Sequence, residues 1–242
     1  MSSWNSDACF PFIAPLSGGG ESRHDVHVKG SGPPILVLQE LPGIGPETLA
    51  LADRLVAAGF TVYLPHLFGT FGKTTPLRNM ARLFCVRREF NMFLKGRQSP
   101  VATWMRALAR HIRERENAAG IGVIGMCLTG SFALTLMADD AVLGAVASQP
   151  ALPLFGGDAL HMDAEDIAAA RAGMSARGPA LALRYRGDKM APARLMRNLE
   201  TTFGDGLDTV EYPGNQHSLL TLHFHQPAYT RVEAYFRERL GA

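Results

Sequence analysis

Short uninterrupted aliphatic runs alternate along this chain with longer stretches whose apolar residues recur every three or four positions. Ile35-Leu36-Val37-Leu38 is one such run, ended by Gln39-Glu40-Leu41-Pro42-Gly43, the pattern of a strand buried on both faces and stopped by a turn. Pro46 to Ala58 reads as a helix closed by Gly59. Phe60 to Leu64 is a second strand, stopped by Pro65, and residues 69–99 show only broken helical periodicity. Pro100 to Asn117 is helical again, with proline in the first turn and Val101, Trp104, Met105, Leu108 and Ile112 at core-facing spacing. Ile121 to Gly125 predicts a strand and Leu128 to Ala138 a helix, which leaves only Met126-Cys127 for a very tight turn between them. Val142 to Ser148 and Ala180 to Arg186 repeat the strand pattern, Pro192 to Phe203 the helical one, Thr209 to Tyr212 a last strand and Pro227 to Leu240 a closing helix.

Strands alternating with crossover helices predict an α/β fold, a mostly parallel twisted sheet with helices on both faces. With 242 residues and no repeat or linker, one domain spanning 1–242 is expected, without a large lid domain. No run approaches the roughly 18 apolar residues of a membrane helix. Met1 to Leu16 lacks the basic and apolar regions of a secretion signal, so a cytoplasmic protein without a membrane partner is expected. Three cysteines, Cys9, Cys85 and Cys127, cannot all pair and show no metal-type spacing, which fits a reducing compartment and no metal site.

In such sheets ligands bind at the carboxyl ends of the strands, so the residues just after each strand carry the chemical interest. Cys127 stands between a strand and a helix in Gly125-Met126-Cys127-Leu128-Thr129-Gly130. This is the context of a nucleophile elbow, with sulfur in place of a hydroxyl, Thr129 where a second glycine is usual and Gly130 one place later. A thiol at a helix start sees the positive end of the helix dipole, which favours the nucleophilic thiolate. An inert buried cysteine is the alternative. Asp188 follows the strand ending at Arg186, and His217 follows the last strand. Nucleophile, acid, histidine is the chain order of an α/β-hydrolase triad, in which imidazole takes the nucleophile's proton and the carboxylate fixes its tautomer. Taken singly, Asp188 also reads as a turn residue or helix cap, and His217 as a loop residue.

On Gln39-Glu40-Leu41 with its following turn, on Gly125-Met126-Cys127-Leu128, and on the Gly187-Asp188 and His217 segments, the sequence resembles the dienelactone hydrolase family of the α/β-hydrolase superfamily. The resemblance covers about residues 26–242 and leaves 1–25 as an N-terminal extension. It implies a cofactor-independent hydrolase with Cys127 as nucleophile, His217 as general base and acid, and Asp188 as its partner. It further implies that Glu40 lies beside the resting thiol and helps to generate the thiolate, and that the backbone amides of Leu41 and Leu128 form the oxyanion hole. Independently, Glu40 is a carboxylate ending four aliphatics, a position that is costly without a partner or water. The arginine that binds a substrate carboxylate in dienelactone-specific members has no counterpart after His217, where Thr221 and Leu222 stand.

Charge adds one feature. The formal net charge is only +2, yet Lys73 to Glu116 holds 9 Arg and 2 Lys against 3 Glu. Within it Arg78, Arg82, Arg87 and Arg88 are candidates to bind an anionic substrate, Arg82 and Arg87 foremost, set against a plain solvated face. The cluster lacks interleaved stacking aromatics at the spacing of a nucleic-acid module, so no nucleic-acid partner is expected. His223 and His225 in His223-Phe224-His225 lack an apparent third metal ligand, His66 follows a strand without an assigned partner, and Gly18-Gly19-Gly20 reads as a flexible turn. The expected substrate is a small ester or lactone, acted on by a monomer or small homo-oligomer. A thioesterase or phosphotriester hydrolase on the same triad, or a non-enzymatic ligand-binding or redox-sensing protein, is the alternative.

Overall fold

A computed structural model describes residues 4–41, 43–74, 100–151 and 162–241. The strands are β1 (Ala8–Pro15), β2 (Glu21–Lys29), β3 (Pro34–Val37), β4 (Thr61–Pro65), β5 (Ile121–Met126), β6 (Val142–Ser148), β7 (Ala180–Tyr185) and β8 (Leu207–Tyr212). The helices are α1 (Pro46–Ala57), α2 (Pro100–Arg115), α3 (Gly130–Leu136), α4 (Ala164–Arg177), α5 (Ala193–Phe203) and α6 (Gln226–Leu240). All eight strands form one sheet in the order β1-β2-β4-β3-β5-β6-β7-β8. From β4 to β8 every pairing is parallel, while β1 with β2 and β2 with β4 run antiparallel.

The continuous aliphatic runs become the buried centre of this sheet: every residue of β3, β4, β5 and β7 is buried. Their side chains alternate between two apolar layers. On one side Leu36, Val123 and Ala145 pack with Trp104, Met105 and Leu108 of α2, Phe132 of α3, Met174 of α4 and Leu195 and Leu199 of α5. On the other side Ile35, Ile124, Val146 and Leu181 pack with Leu51 and Leu55 of α1 and Val232, Tyr235 and Phe236 of α6. Two layers of helix therefore clamp a sheet whose backbone polar groups are spent on each other, which fixes the strand ends as a rigid platform.

The N-terminal stretch ahead of the family resemblance is part of the sheet. Gly18, Gly19 and Gly20 all have positive φ (91°, 102° and 84°) and reverse the chain between β1 and β2. The hairpin they close covers what would otherwise be the open edge of β4. Its strands bury one face only: Phe10 and Phe12 lean on the α2 layer, Phe12 edge-on to Trp104, while Cys9, Pro11 and Ile13 face outward.

Candidate active site

Because β3 to β8 are parallel, their carboxyl ends share one edge of the sheet, and the candidate residues after β3, β5, β7 and β8 gather there. The β5 turn is the tightest. Cys127 to Thr129 form one turn of 3-10 helix that runs straight into α3. Cys127 has φ +53°, a left-handed conformation that a non-glycine residue adopts only where the surroundings impose it. The glycines explain why the turn fits. A Cβ on Gly125 would stand 2.2 Å from the Thr129 carbonyl oxygen, and one on Gly130 2.8 Å from the Cα of Pro150.

Thr129, the departure from the usual glycine, is integrated rather than tolerated. Its Oγ1 accepts the Met126 amide at 2.9 Å, and its one proton has the carbonyl oxygens of Met126 and Gln39 as acceptors at 3.0 and 3.2 Å. The elbow is thus bonded sideways to the end of β3. Gln39 continues that link, its side chain donating to the Phe68 carbonyl and accepting the Leu67 amide, both at 2.9 Å. The Leu128 amide lies at the opening of the 3-10 turn, where no preceding helical turn offers it an acceptor. Leu41 lies just past Gln39 and Glu40, half-buried against the α2 layer.

Asp188 and His217 meet. Nδ1 of His217 lies 2.7 Å from Oδ2 of Asp188, whose other oxygen accepts the Met190 amide at 2.8 Å and the Ala191 amide at 3.2 Å. The carboxylate takes three donors, which directs Nδ1–H at Asp188 and leaves Nε2 as the nitrogen that exchanges a proton. Burial by itself lowers the imidazole pKa, but the bond to Asp188 and the adjacent Cys127 sulfur outweigh it and raise it to about 10. Nε2 is buried and makes no hydrogen bond of ordinary geometry, while the Cys127 sulfur acts on the ring from nearby.

Glu40 is held by two hydroxyls. Its carboxylate is not bonded to the thiol: Oε2 accepts Ser218 Oγ at 3.0 Å and Oε1 accepts Thr221 Oγ1. Glu40 is 4% exposed, so these hydroxyls replace most of its water. Ser218 and Thr221 escaped sequence reasoning, although Ser218 adjoins His217 and Thr221 stands at the position singled out for lacking an arginine. Gln149, just after β6, was also missed. It has φ +35°, is fully buried and leaves its Nε2 without an acceptor, while Ala151 two residues on donates to the Cys127 carbonyl at 3.0 Å. No hydrophobic pattern marks it.

The remaining candidates separate from this cluster. Arg78, Arg82, Arg87, Arg88 and Cys85 lie outside the described residues. His223 and His225 are on a turn and on the residue preceding α6 rather than on one strand face, and His225 packs its ring on Tyr185 and Tyr212. His66 packs on Phe71. Among the described residues no three His, Cys, Asp or Glu side chains converge as for a metal ion, and no helix is long and apolar enough to cross a membrane.

An eight-stranded, mainly parallel sheet clamped by helices, with a strained strand-to-helix elbow and a carboxylate-imidazole pair at one edge, defines an α/β hydrolase fold, with no separate lid domain among the described residues. The family model of the dienelactone hydrolase family matches residues 24–230, and the chain belongs to that family. Among solved structures it is similar to a putative dienelactone hydrolase of Klebsiella pneumoniae, at 17% identity and a TM-score of 0.65 over 97% of this chain and 99% of that one. It is similar as well to an α/β serine hydrolase without lid from Xanthomonas campestris, at 14% identity and a TM-score of 0.61 over 98% of each chain. A dienelactone hydrolase-like promiscuous phosphotriesterase from metagenomic libraries matches at 16% identity and a TM-score of 0.62, over 97% of this chain and all of that one. No curated protein sequence matches the chain.

Proposed function

We propose that the protein hydrolyses small carboxylic esters or lactones through Cys127, His217 and Asp188. The observation that carries this reading is the 2.7 Å Asp188–His217 pair, with its buried Nε2 left unbonded and under the influence of the Cys127 sulfur. In the proposed sequence the Cys127 thiolate adds to the substrate carbonyl, and the oxyanion is stabilised by the Leu41 and Leu128 amides. The tetrahedral adduct collapses to a thioester as His217 gives its proton to the departing alkoxide. Water, losing a proton to His217, then attacks the thioester, releasing the carboxylic acid and restoring the thiolate beside the imidazolium. No cofactor or metal enters these steps.

The raised imidazole supports the reading, because a proton held on the ring is available for the departing alkoxide. A second reading, in which the same groups act on thioesters or phosphotriesters, is suggested by the similarity to a promiscuous phosphotriesterase. Purified protein with short p-nitrophenyl esters, small lactones, thioesters and a phosphotriester tests both. For the reading preferred here, ester or lactone turnover falls about a thousandfold or more in both Cys127→Ala and His217→Ala. Unchanged turnover in either variant removes the mechanism.

A further inference from the structure

We propose that Gln149 determines specificity: its buried side-chain amide donates a hydrogen bond to an oxygen in the acyl portion of the substrate, so the site favours alkoxyacyl and hydroxyacyl groups over plain alkanoyl ones. The proposal rests on the reading of this edge of the sheet as an acyl-binding site.

Strand register places Gln149 beside the nucleophile. β5 and β6 pair in parallel up to Met126 opposite Ser148, and each strand ends there, with Cys127 next on one and Gln149 next on the other. Neighbouring strands lie about 5 Å apart, so the two residues are lateral neighbours at the edge that carries the site. The chain beyond Gln149 stays pressed against the elbow. Ala151 donates its amide to the Cys127 carbonyl at 3.0 Å, and a Cβ on Gly130 would stand 2.8 Å from the Cα of Pro150. On its other side Gln149 is tied to β7, its backbone amide donating to the Leu183 carbonyl at 2.6 Å.

The side chain is costly where it stands. Gln149 is fully buried, and its φ of +35° puts it with Asn117 and Cys127 as the described non-glycine residues of positive φ. The Ser148 hydroxyl donates to Oε1, so one end of the amide is spent. Nε2, the other end, has no acceptor among the described residues. A buried N–H donor without an acceptor is destabilising, and a strained backbone adds to that cost. Residues that carry such costs cluster where a ligand completes the bonding.

A donor selects an acceptor. The substrate carbonyl oxygen is assigned to the Leu41 and Leu128 amides, and Leu41 follows β3, on the opposite side of β5 from β6 and Gln149. The departing alkoxide takes its proton from His217. The acyl substituent, which stays on the sulfur through both steps, is therefore the part left to face Gln149. An ether or hydroxyl oxygen one or two atoms beyond the scissile carbonyl accepts from Nε2, whereas an alkanoyl chain of the same length leaves it bare.

Alkylation tests the bond without requiring turnover. Cys127 is treated with chloromethyl methoxymethyl ketone or with chloromethyl propyl ketone, a pair of equal length that differs by one ether oxygen. The rates are read by mass spectrometry of the peptide that holds Cys127, since Cys9 is exposed and also reacts. Glutathione gives the intrinsic reactivity ratio of the two reagents. The methoxymethyl-to-propyl ratio at Cys127 should exceed that of glutathione by about threefold or more, and should fall back towards it in Gln149→Met, which keeps the side-chain length and loses the amide. A wild-type ratio equal to that of glutathione, a ratio unchanged in a folded Gln149→Met, or a Cys127 that reacts with neither ketone overturns the proposal. If Gln149→Met does not fold, the wild-type ratio against glutathione decides.

Turnover supplies the second arm. From wild type to Gln149→Met, kcat/KM for p-nitrophenyl methoxyacetate should fall about threefold or more relative to kcat/KM for p-nitrophenyl butyrate. An equal fall for both esters assigns Gln149 to the framework of the elbow and removes the proposal. Failure to hydrolyse either ester refutes the proposed function alone, because alkylation still reads the bond.

Discussion

His217 and Asp188 are joined by a 2.7 Å contact between Nδ1 and Oδ2, with the carboxylate 2% and the imidazole 14% exposed. Burial by itself lowers the imidazole pKa, and the Asp188 bond followed by the Cys127 sulfur raises it to about 10. A folded-state pKa above the unfolded value of about 6.5 means that the folded protein holds the extra proton between those values. The associated stability is complete below about pH 6.5 and is lost as pH rises through about 10. The urea midpoint of wild type should therefore exceed that of His217→Asn most at about pH 6, with the gap closing by about pH 10. A gap constant over that range contradicts the assigned coupling.

Thr129 is the hydroxyl that stitches the elbow to the end of β3. Thr129→Val keeps the shape but leaves the buried Met126 amide without its acceptor, which costs about 1–3 kcal/mol. Thr129→Ser keeps the bonds and should lie much nearer to wild type. Urea denaturation of the two variants makes the comparison, and equal losses would show that methyl packing, not the hydroxyl, secures the turn.

The legible parts of this molecule were those written in local pattern. β3 to β7 are predominantly apolar runs because both faces of the central sheet are buried, and the elbow was visible because Met126-Cys127 was too short a link for anything else. The β1–β2 hairpin was not visible: β1 holds two prolines and buries one face only, and β2 reads as mixed polar residues, so neither resembles a central strand. Helix α4 escaped because its buried positions are Asp166, Ala170, Gly173 and Met174, which give little apolar stripe. Ser218 and Thr221 were hidden for a different reason. Their partner Glu40 lies about 180 residues away in sequence, and a hydroxyl that bonds a distant carboxylate looks like any surface hydroxyl until the chain folds. The meeting of Asp188 and His217 was legible only through chain order, since no spacing between them specifies contact.

Cys127 offers a measure of strain at the elbow. At φ +53° a side chain costs about 1–2 kcal/mol relative to the right-handed region, a cost glycine avoids. Glycine also loses about 0.5–1 kcal/mol more conformational entropy on folding than alanine. Cys127→Gly should therefore be at least as stable as Cys127→Ala, by up to about 1.5 kcal/mol, although both lack the sulfur. Thermal or urea denaturation of the pair decides, and an alanine variant clearly the more stable would show that the conformation is not strained.

Arg184 extends the site one step inward. Its Nε donates to Glu211 Oε1 at 2.7 Å and its Nη1 to the Ala191 carbonyl at 2.8 Å, while the Ala191 amide donates to Asp188 at 3.2 Å. The guanidinium thus pins the turn whose amides aim Asp188 at His217. Removing it in Arg184→Met leaves the Glu211 carboxylate with partial solvent contact and with Arg186 at 3.6 Å, so the loss belongs at or below the lower end of the about 3–5 kcal/mol typical of a broken buried pair. Glu211→Gln is milder, keeping an acceptor while removing the charge that holds the guanidinium. If Arg184 is a positioning residue, NMR titration of the His217 ring in Glu211→Gln shows a pKa below that of wild type, and ester turnover falls with it. A variant that is merely less stable, with the His217 titration unmoved, assigns Arg184 to the framework alone.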